Sequence, residues 1–294
     1  MSDNPWSIEK GIQLSDGARI PRIAFGTYGL EAGDETEQAV LSALEAGYRH
    51  LDCARMYANE SSVGRAIAKS GVPRDQIFIT SKVWNDRQKN AQVRQSCEET
   101  LAALGIEQLD LFLIHWPVAS HYRQTWEELQ DLKANGLTRS IGVANFQQQH
   151  LDAIAQDGGE TPVVDQIENH PLFHDEALLA LLGKRSIVAE SWSPFARGKI
   201  FGNPVIERIA QEHGADQGQI VTAWHLQHGY VTLPRSSKPS RIASNLEAFK
   251  LQLNDEEMAA IDALNKMEPF LPECTPTTFE EFFERVHYTD SPHD

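Results

Sequence analysis

Short apolar runs alternate with amphipathic stretches along this chain about eight times, and nothing else in the sequence narrows the fold as far. The strand candidates are Ile23–Gly26, Tyr48–Asp52, Ile77–Val83, Leu109–His115, Ser140–Ala144, Val163–Glu168, Ile187–Ser191 and Val231–Pro234. Between them lie helical patterns such as Thr36–Ala46, Val93–Leu104, Thr125–Asn135 and Asp175–Lys184. Strands separated by helices are joined by crossovers, which makes the sheet parallel. About eight such units in 294 residues fit a (β/α)8 TIM barrel, an α/β fold, better than a doubly wound sheet. The doubly wound alternative would carry a glycine-rich fingerprint after its first strand, and the "AFGTYGLEAG" found there does not fit G-x-G-x-x-G. Ahead of the barrel, "LSDGARI" sets an Asp-Gly turn between two short runs and predicts a small N-terminal β-hairpin. No linker or low-complexity block divides the chain. The expectation is one domain over residues 1–294, with a barrel from about 20 to 265 and a C-terminal tail from about 266 to 294 near the active-site face.

The formal charge of −16 repels phosphate backbones and argues against nucleic acid as a partner. An anionic ligand would need a local basic patch. No apolar run has the length of a membrane span, and "MSDNPWSIEK" has no signal-peptide core. The three cysteines, Cys53, Cys97 and Cys274, are too scattered for a disulfide framework, and no Cys/His cluster has metal-ligand spacing. A cytoplasmic protein, a monomer or weak homo-oligomer that binds no metal, is the expectation.

Barrel chemistry gathers at the C-terminal ends of the strands. Those ends carry Asp52, Lys82, His115, Asn145 and Gln166, and Tyr57 follows five residues after Asp52 in "GYRHLDCARMYANESSVG". Each has a plain structural reading: a snorkelling lysine, a satisfied core histidine, a helix N-cap asparagine, an interior glutamine. Their convergence on one rim favours chemistry. A free phenol titrates near ~10, too high for an efficient donor at neutral pH, and an adjacent buried ammonium is expected to lower it. A carboxylate paired with that ammonium holds it in place, and an imidazole can orient a substrate carbonyl. Asp52, Tyr57, Lys82 and His115 together therefore make a proton donor aimed at a carbonyl oxygen.

The blocks "GYRHLDCARMYANESSVGRAI", "ITSKVWN", "LDLFLIHWP", "GLTRSIGVANF" and "DQIENHP" resemble successive signatures of the aldo-keto reductases, nearest to bacterial members like 2,5-diketo-D-gluconate reductase. The likeness runs from about Ile12 to Leu264. It implies a barrel that binds NADPH (NADP+) without a Rossmann fold and reduces aldehydes and ketones, with the tetrad on Asp52, Tyr57, Lys82 and His115. It implies further that Asn145 and Gln166 hold the nicotinamide carboxamide, that the ring stacks on Trp192, and that Ser193 to Phe195 take the pyrophosphate. Gly26, Thr27 and Asn245 also belong to the implied cofactor site. The chain departs from the family pattern at Ala144, where serine is usual, at Asp165, where asparagine is common, and at Ser244, where glutamate is common.

The basic patch that an anionic ligand requires lies in "LPRSSKPSRIASN": Arg235, Lys238 and Arg241 beside Ser236 and Ser237. A solvated turn is one reading; recognition of the 2′-phosphate of NADPH, resembling the family's K-S-x-x-x-x-R-x-x-x-N pattern with arginine at 235, is the other. Tyr28, Met56, Trp84, Asn85 and Trp116 fall on rim loops beside the tetrad and are candidate substrate walls, although the tryptophans could equally be core aromatics. In the tail, Phe279, Phe282, Phe283 and Val286 recur at helical spacing, either lining the pocket or packing elsewhere. The reading is a carbonyl reductase acting on a small-molecule substrate. Two rivals stand beside it. One is a non-catalytic NADPH-binding regulatory barrel, which a complete tetrad argues against. The other is an isomerase or aldolase with a Lys82 Schiff base, which Asp52 disfavours by keeping the amine protonated.

Overall fold

The Asp16–Gly17 turn forms as its residues dictate, with Gly17 at φ 91°, a conformation that costs glycine little. It joins strands β1 (Ile12–Gln13) and β2 (Arg19–Ile20) in an antiparallel pair. A computed structural model describes residues 10–89 and 92–270 of the chain; the tail positions Phe279, Phe282, Phe283 and Val286, and Cys274, lie outside them.

After the hairpin come β3 (Phe25–Gly26), α1 (Asp34–Ala46), β4 (His50–Asp52), α2 (Glu60–Ser70), β5 (Phe78–Val83), α3 (Asn85–Lys89), α4 (Val93–Leu104) and β6 (Leu109–Ile114). There follow α5 (Tyr122–Ala134), β7 (Thr138–Ala144), α6 (Gln148–Gln156), β8 (Val164–Glu168), α7 (Glu176–Lys184) and β9 (Val188–Trp192). The order ends with α8 (Pro204–His213), α9 (Gln217–Gln227), β10 (Val231–Thr232), α10 (Pro239–Leu246) and α11 (Asp255–Asp262). Strands β3 to β10 form one parallel sheet in sequence order. A parallel bridge between Ile23 and Thr232, with hydrogen bonds from Ala24 N to Thr232 O (2.9 Å) and from Thr232 N to Arg22 O (3.1 Å), joins the last strand to the first. The expected eight-stranded barrel is thus closed.

Some strands are shorter than their apolar runs. Tyr48 is not yet in β4, because its amide still bonds Ala43 O (3.0 Å) in the turn that ends α1. Ile23 contributes only the closing bridge. In contrast, β7 begins at Thr138, ahead of the apolar run itself.

The two-residue period of the strands sorts their side chains. Leu51, Ile79, Phe112, Val143 and Ile167 pack outward in the main core together with helix residues such as Val40, Ile67 and Leu129. Phe78, Leu111, Leu113, Val164 and Val231 fill the lower barrel, and the hairpin residues Leu14 and Ile20 join that cluster as a plug. A smaller core around Trp224 sits between α8, α9 and α11. No helix among the described residues is long and apolar enough to cross a membrane.

The plug gives a direct test. Ile20 is fully buried, so Ile20→Ala is expected to cost about 2–5 kcal/mol in urea unfolding. A loss below about 1 kcal/mol would show that the hairpin packs only loosely on the barrel mouth.

Candidate active site

Above the apolar plug the inward positions turn polar. His50 and Asp52 on β4, Thr80 and Lys82 on β5, Gln166 on β8 and Glu190 on β9 are all buried. Lys82 is enclosed completely and uses its ammonium three times: to Asp52 Oδ1 (2.7 Å), to Cys53 O (2.9 Å) and to the Tyr57 hydroxyl (3.2 Å). Burial works against the ammonium, but Asp52 and the Tyr57 oxygen outweigh it and hold Lys82 above its ordinary value. The lysine is held as a cation at neutral pH.

Tyr57 reaches that cation from a short 3-10 turn, Arg55–Tyr57, closed by Ala58 in a left-handed conformation at φ 56°. The expected lowering of its phenol does not follow. Burial pushes the phenol up by more than Lys82 pulls it down, and Asp52 adds to the push, so Tyr57 lies above its ordinary value. The group is therefore a fully loaded donor, and Lys82 acts on the phenolate only as the proton leaves. Burial and the Lys82 charge also hold His115 well below 6.5, as a neutral ring. Its buried Nδ1 has no hydrogen-bond partner among the described residues. An orphaned lone pair is cheaper than an orphaned N–H, which favours the tautomer with the proton on Nε2.

An aromatic rim frames these groups. Tyr28 stands edge-on to Tyr57 (5.2 Å between centroids), Tyr57 to His115 (5.9 Å) and His115 to Trp84 (4.8 Å). Trp84 and Asn85 are nearly buried, while Met56 and Trp116 are partly open. Gln88 Nε2 ties this wall together through Trp116 O (3.0 Å) and Asn85 Oδ1 (3.4 Å), a role the sequence did not suggest.

Beside the tetrad, Asn145 adopts φ 61°, and its amide is used on both sides: Nδ2 donates to His115 O (2.9 Å) and Oδ1 accepts from Trp192 Nε1 (2.9 Å). Gln166 Nε2 donates to Asp52 Oδ1 (2.9 Å), and no hydrogen bond falls to its Oε1 among the described residues. Ala144 faces the barrel interior. Asp165 pairs in register with outward-facing Val143, so its carboxyl lies away from Gln166. Burial raises that carboxyl well above its ordinary value. In the loop after β9, Ser193, Ala196 and Arg197 all have φ near 50°. Such non-glycine strain concentrates where a loop is shaped for a ligand.

At the barrel closure Thr27 Oγ1 donates to Asp52 O (2.9 Å), and Gly26 N to Pro234 O (3.3 Å). The basic patch divides. The Arg235 guanidinium donates to Gly29 O across the closure, whereas Lys238 and Arg241 are exposed at the N-terminus of α10. Ser236 Oγ accepts from Lys238 N (3.0 Å), Ser237 is exposed, and Asn245 is buried one turn on. Phe195 lies near Gly218, in the neighbourhood of Asn245. Sequence reasoning missed Arg197, whose guanidinium lies 3.7 Å from the Phe270 ring centroid and 5.5 Å from that of Tyr28. Its position just past a barrel strand was the only signal. Phe270 N also donates to Glu168 Oε1 (2.6 Å), which brings the start of the tail to this face.

The buried pair makes a stability claim. In Asp52→Ala, Lys82 keeps two contacts but loses its counter-charge, and about 3–5 kcal/mol of stability is expected to go with it. Asp52→Ala/Lys82→Met should recover part of that loss. If the single variant unfolds in urea like the wild type, the pair does not hold the site together.

A family model described as the aldo/keto reductase family matches residues 22–266. The glyoxal reductase of Bacillus subtilis is 40% identical over 264 residues, covering 90% of this chain and 96% of that one. Methylglyoxal reductase DkgA of Yersinia pestis is 43% identical over 258 residues, covering 86% and 92%. Among solved structures, the Bombyx mori aldo-keto reductase in complex with NADP is 36% identical, with a TM-score of 0.83 over 88% of this chain and 94% of that one. On this match, and on a barrel whose rim carries the buried ion pair, phenol and imidazole, the chain belongs to the aldo/keto reductase family.

Proposed function

We infer that this protein is an NADPH-dependent carbonyl reductase, with Tyr57 as the acid and small aldehydes and ketones as substrates, 1,2-dicarbonyls of the glyoxal type foremost. The observation that carries the reading is the Tyr57 hydroxyl 3.2 Å from a buried Lys82 paired with Asp52, at the foot of an aromatic slot. The glyoxal and methylglyoxal reductases among the relatives support the substrate class. The donor set suits the cofactor: a Gln166 Oε1 that accepts no hydrogen bond among the described residues for a carboxamide, a strained loop over Ser193–Arg197 for a pyrophosphate, and exposed Lys238 and Arg241 at a helix N-terminus for a 2′-phosphate. A bound reduced nicotinamide supplies the hydride.

The chain's own residues do the rest. His115, neutral, donates from Nε2 to the substrate oxygen and fixes the carbonyl. Tyr57 gives its proton to that oxygen as charge develops there, and the Lys82 ammonium stabilises the phenolate left behind. Asp52 keeps Lys82 charged, and with it protonated the Schiff-base alternative loses its nucleophile. Tyr28, Trp84 and Trp116 wall the slot against water. The protein acts as one cytoplasmic barrel domain, a monomer or weak homo-oligomer.

Tyr57→Phe tests the assignment. With NADPH and methylglyoxal, kcat should fall about 10²- to 10⁴-fold, with NADPH affinity held within about threefold, because the phenol acts on the substrate. Retention of more than about a tenth of the wild-type rate would take the acid role away from Tyr57.

A further inference from the structure

The tetrad does not end at Asp52. On β9, Glu190 is fully buried, and its Oε2 accepts from Gln166 Nε2 at 2.8 Å. The same nitrogen donates to Asp52 Oδ1 at 2.9 Å. A side-chain amide has two N–H groups, and here both are committed to carboxyl groups, one from β4 and one from β9. The opposite orientation would set the amide oxygen against the Asp52 carboxylate, so the amide cannot flip without losing that bond and adding repulsion. Its Oε1 is consequently turned away from both acids.

We propose that Glu190 is a positioning residue for cofactor binding: with Asp52 it clamps the Gln166 amide so that only Oε1 faces the cofactor, where it accepts an N–H of the carboxamide. This rests on the reading above that Gln166 holds the nicotinamide carboxamide. Nothing in the tetrad chemistry itself requires an acid at 190. Among the described residues the Glu190 Oε1 has no hydrogen-bond partner, and it lies 3.7 Å from His50 Nε2, which is engaged with Thr80 Oγ1 at 2.9 Å. Burial and the charge of Asp52 push the Glu190 carboxyl up to about 8. A neutral carboxyl still accepts at Oε2, so the clamp needs an acceptor at 190 and not a charge.

That distinction sets the variants. Glu190→Gln keeps a carbonyl acceptor; Glu190→Met keeps the length and removes it, with Glu190→Leu as a second apolar variant should the first not fold. Each is titrated with NADPH and with adenosine 2′,5′-bisphosphate, which occupies the same groove and has no carboxamide. Glu190→Met is expected to weaken NADPH about threefold to tenfold, the worth of one oriented hydrogen bond, and to leave the bisphosphate unchanged. Glu190→Gln should bind both like the wild type. In Glu190→Met/Gln166→Leu, NADPH should bind no more weakly than in Gln166→Leu alone, because the acid acts through the amide. Equal weakening of both ligands in Glu190→Met would make Glu190 a structural residue and overturn the clamp. So would unchanged NADPH binding in that variant while Gln166→Leu discriminates the two ligands. If Gln166→Leu itself fails to discriminate them, the carboxamide assignment falls first and the clamp falls with it.

Discussion

The whole site depends on one ion pair taken out of water. Lys82 and Asp52 sit inside the barrel, with nitrogen and oxygen 2.7 Å apart. Burying two charges costs several kcal/mol each unless every donor is used and the geometry is good. Here the donors are used: the third contact of the ammonium is the Tyr57 phenol, and Asp52 Oδ1 also takes the Gln166 amide. Removing any member leaves another unpaired. The cost of burial is thereby converted into a fixed geometry on a rim made of short, separate loops.

The fold makes this burial possible by dividing the barrel interior into two levels. Below, Phe78, Leu113, Val164 and the hairpin plug form a dry floor. Above it, further along β5 and β8, the inward side chains are Lys82 and Gln166 with their partners. Because alternate residues of a strand share a face, Phe78, Thr80 and Lys82 rise toward the rim on β5, and Val188, Glu190 and Trp192 do so on β9. The change from apolar to polar along an inward row marks where packing ends and chemistry begins.

Much of this was legible in the sequence. The alternation of runs marks the eight strands, and a polar residue at a strand's C-terminal end marks the tetrad, because both are local patterns. What was not legible depends on several elements at once. Glu190 reads as one acid among many until β4, β8 and β9 bring it to Gln166 and Asp52. The arginine patch reads as a unit, yet Arg235 turns to Gly29 across a closure that no local pattern reveals. Charge alone argues that Lys82 lowers the Tyr57 phenol; the desolvation that the assembled barrel imposes on this half-buried ring reverses the balance.

That reversal is the point on which the site's electrostatics can be decided. With carbon-13 at Cζ of the tyrosines, and Tyr57 assigned by its absence in Tyr57→Phe, the phenol can be followed by NMR as pH is raised. The burial-dominated site requires the Tyr57 signal to keep its protonated position to at least about pH 10, the ordinary tyrosine value. A signal that moves to the phenolate position by about pH 8 would mean that Lys82 outweighs burial, and that the donor is tuned by charge and not held loaded by its surroundings.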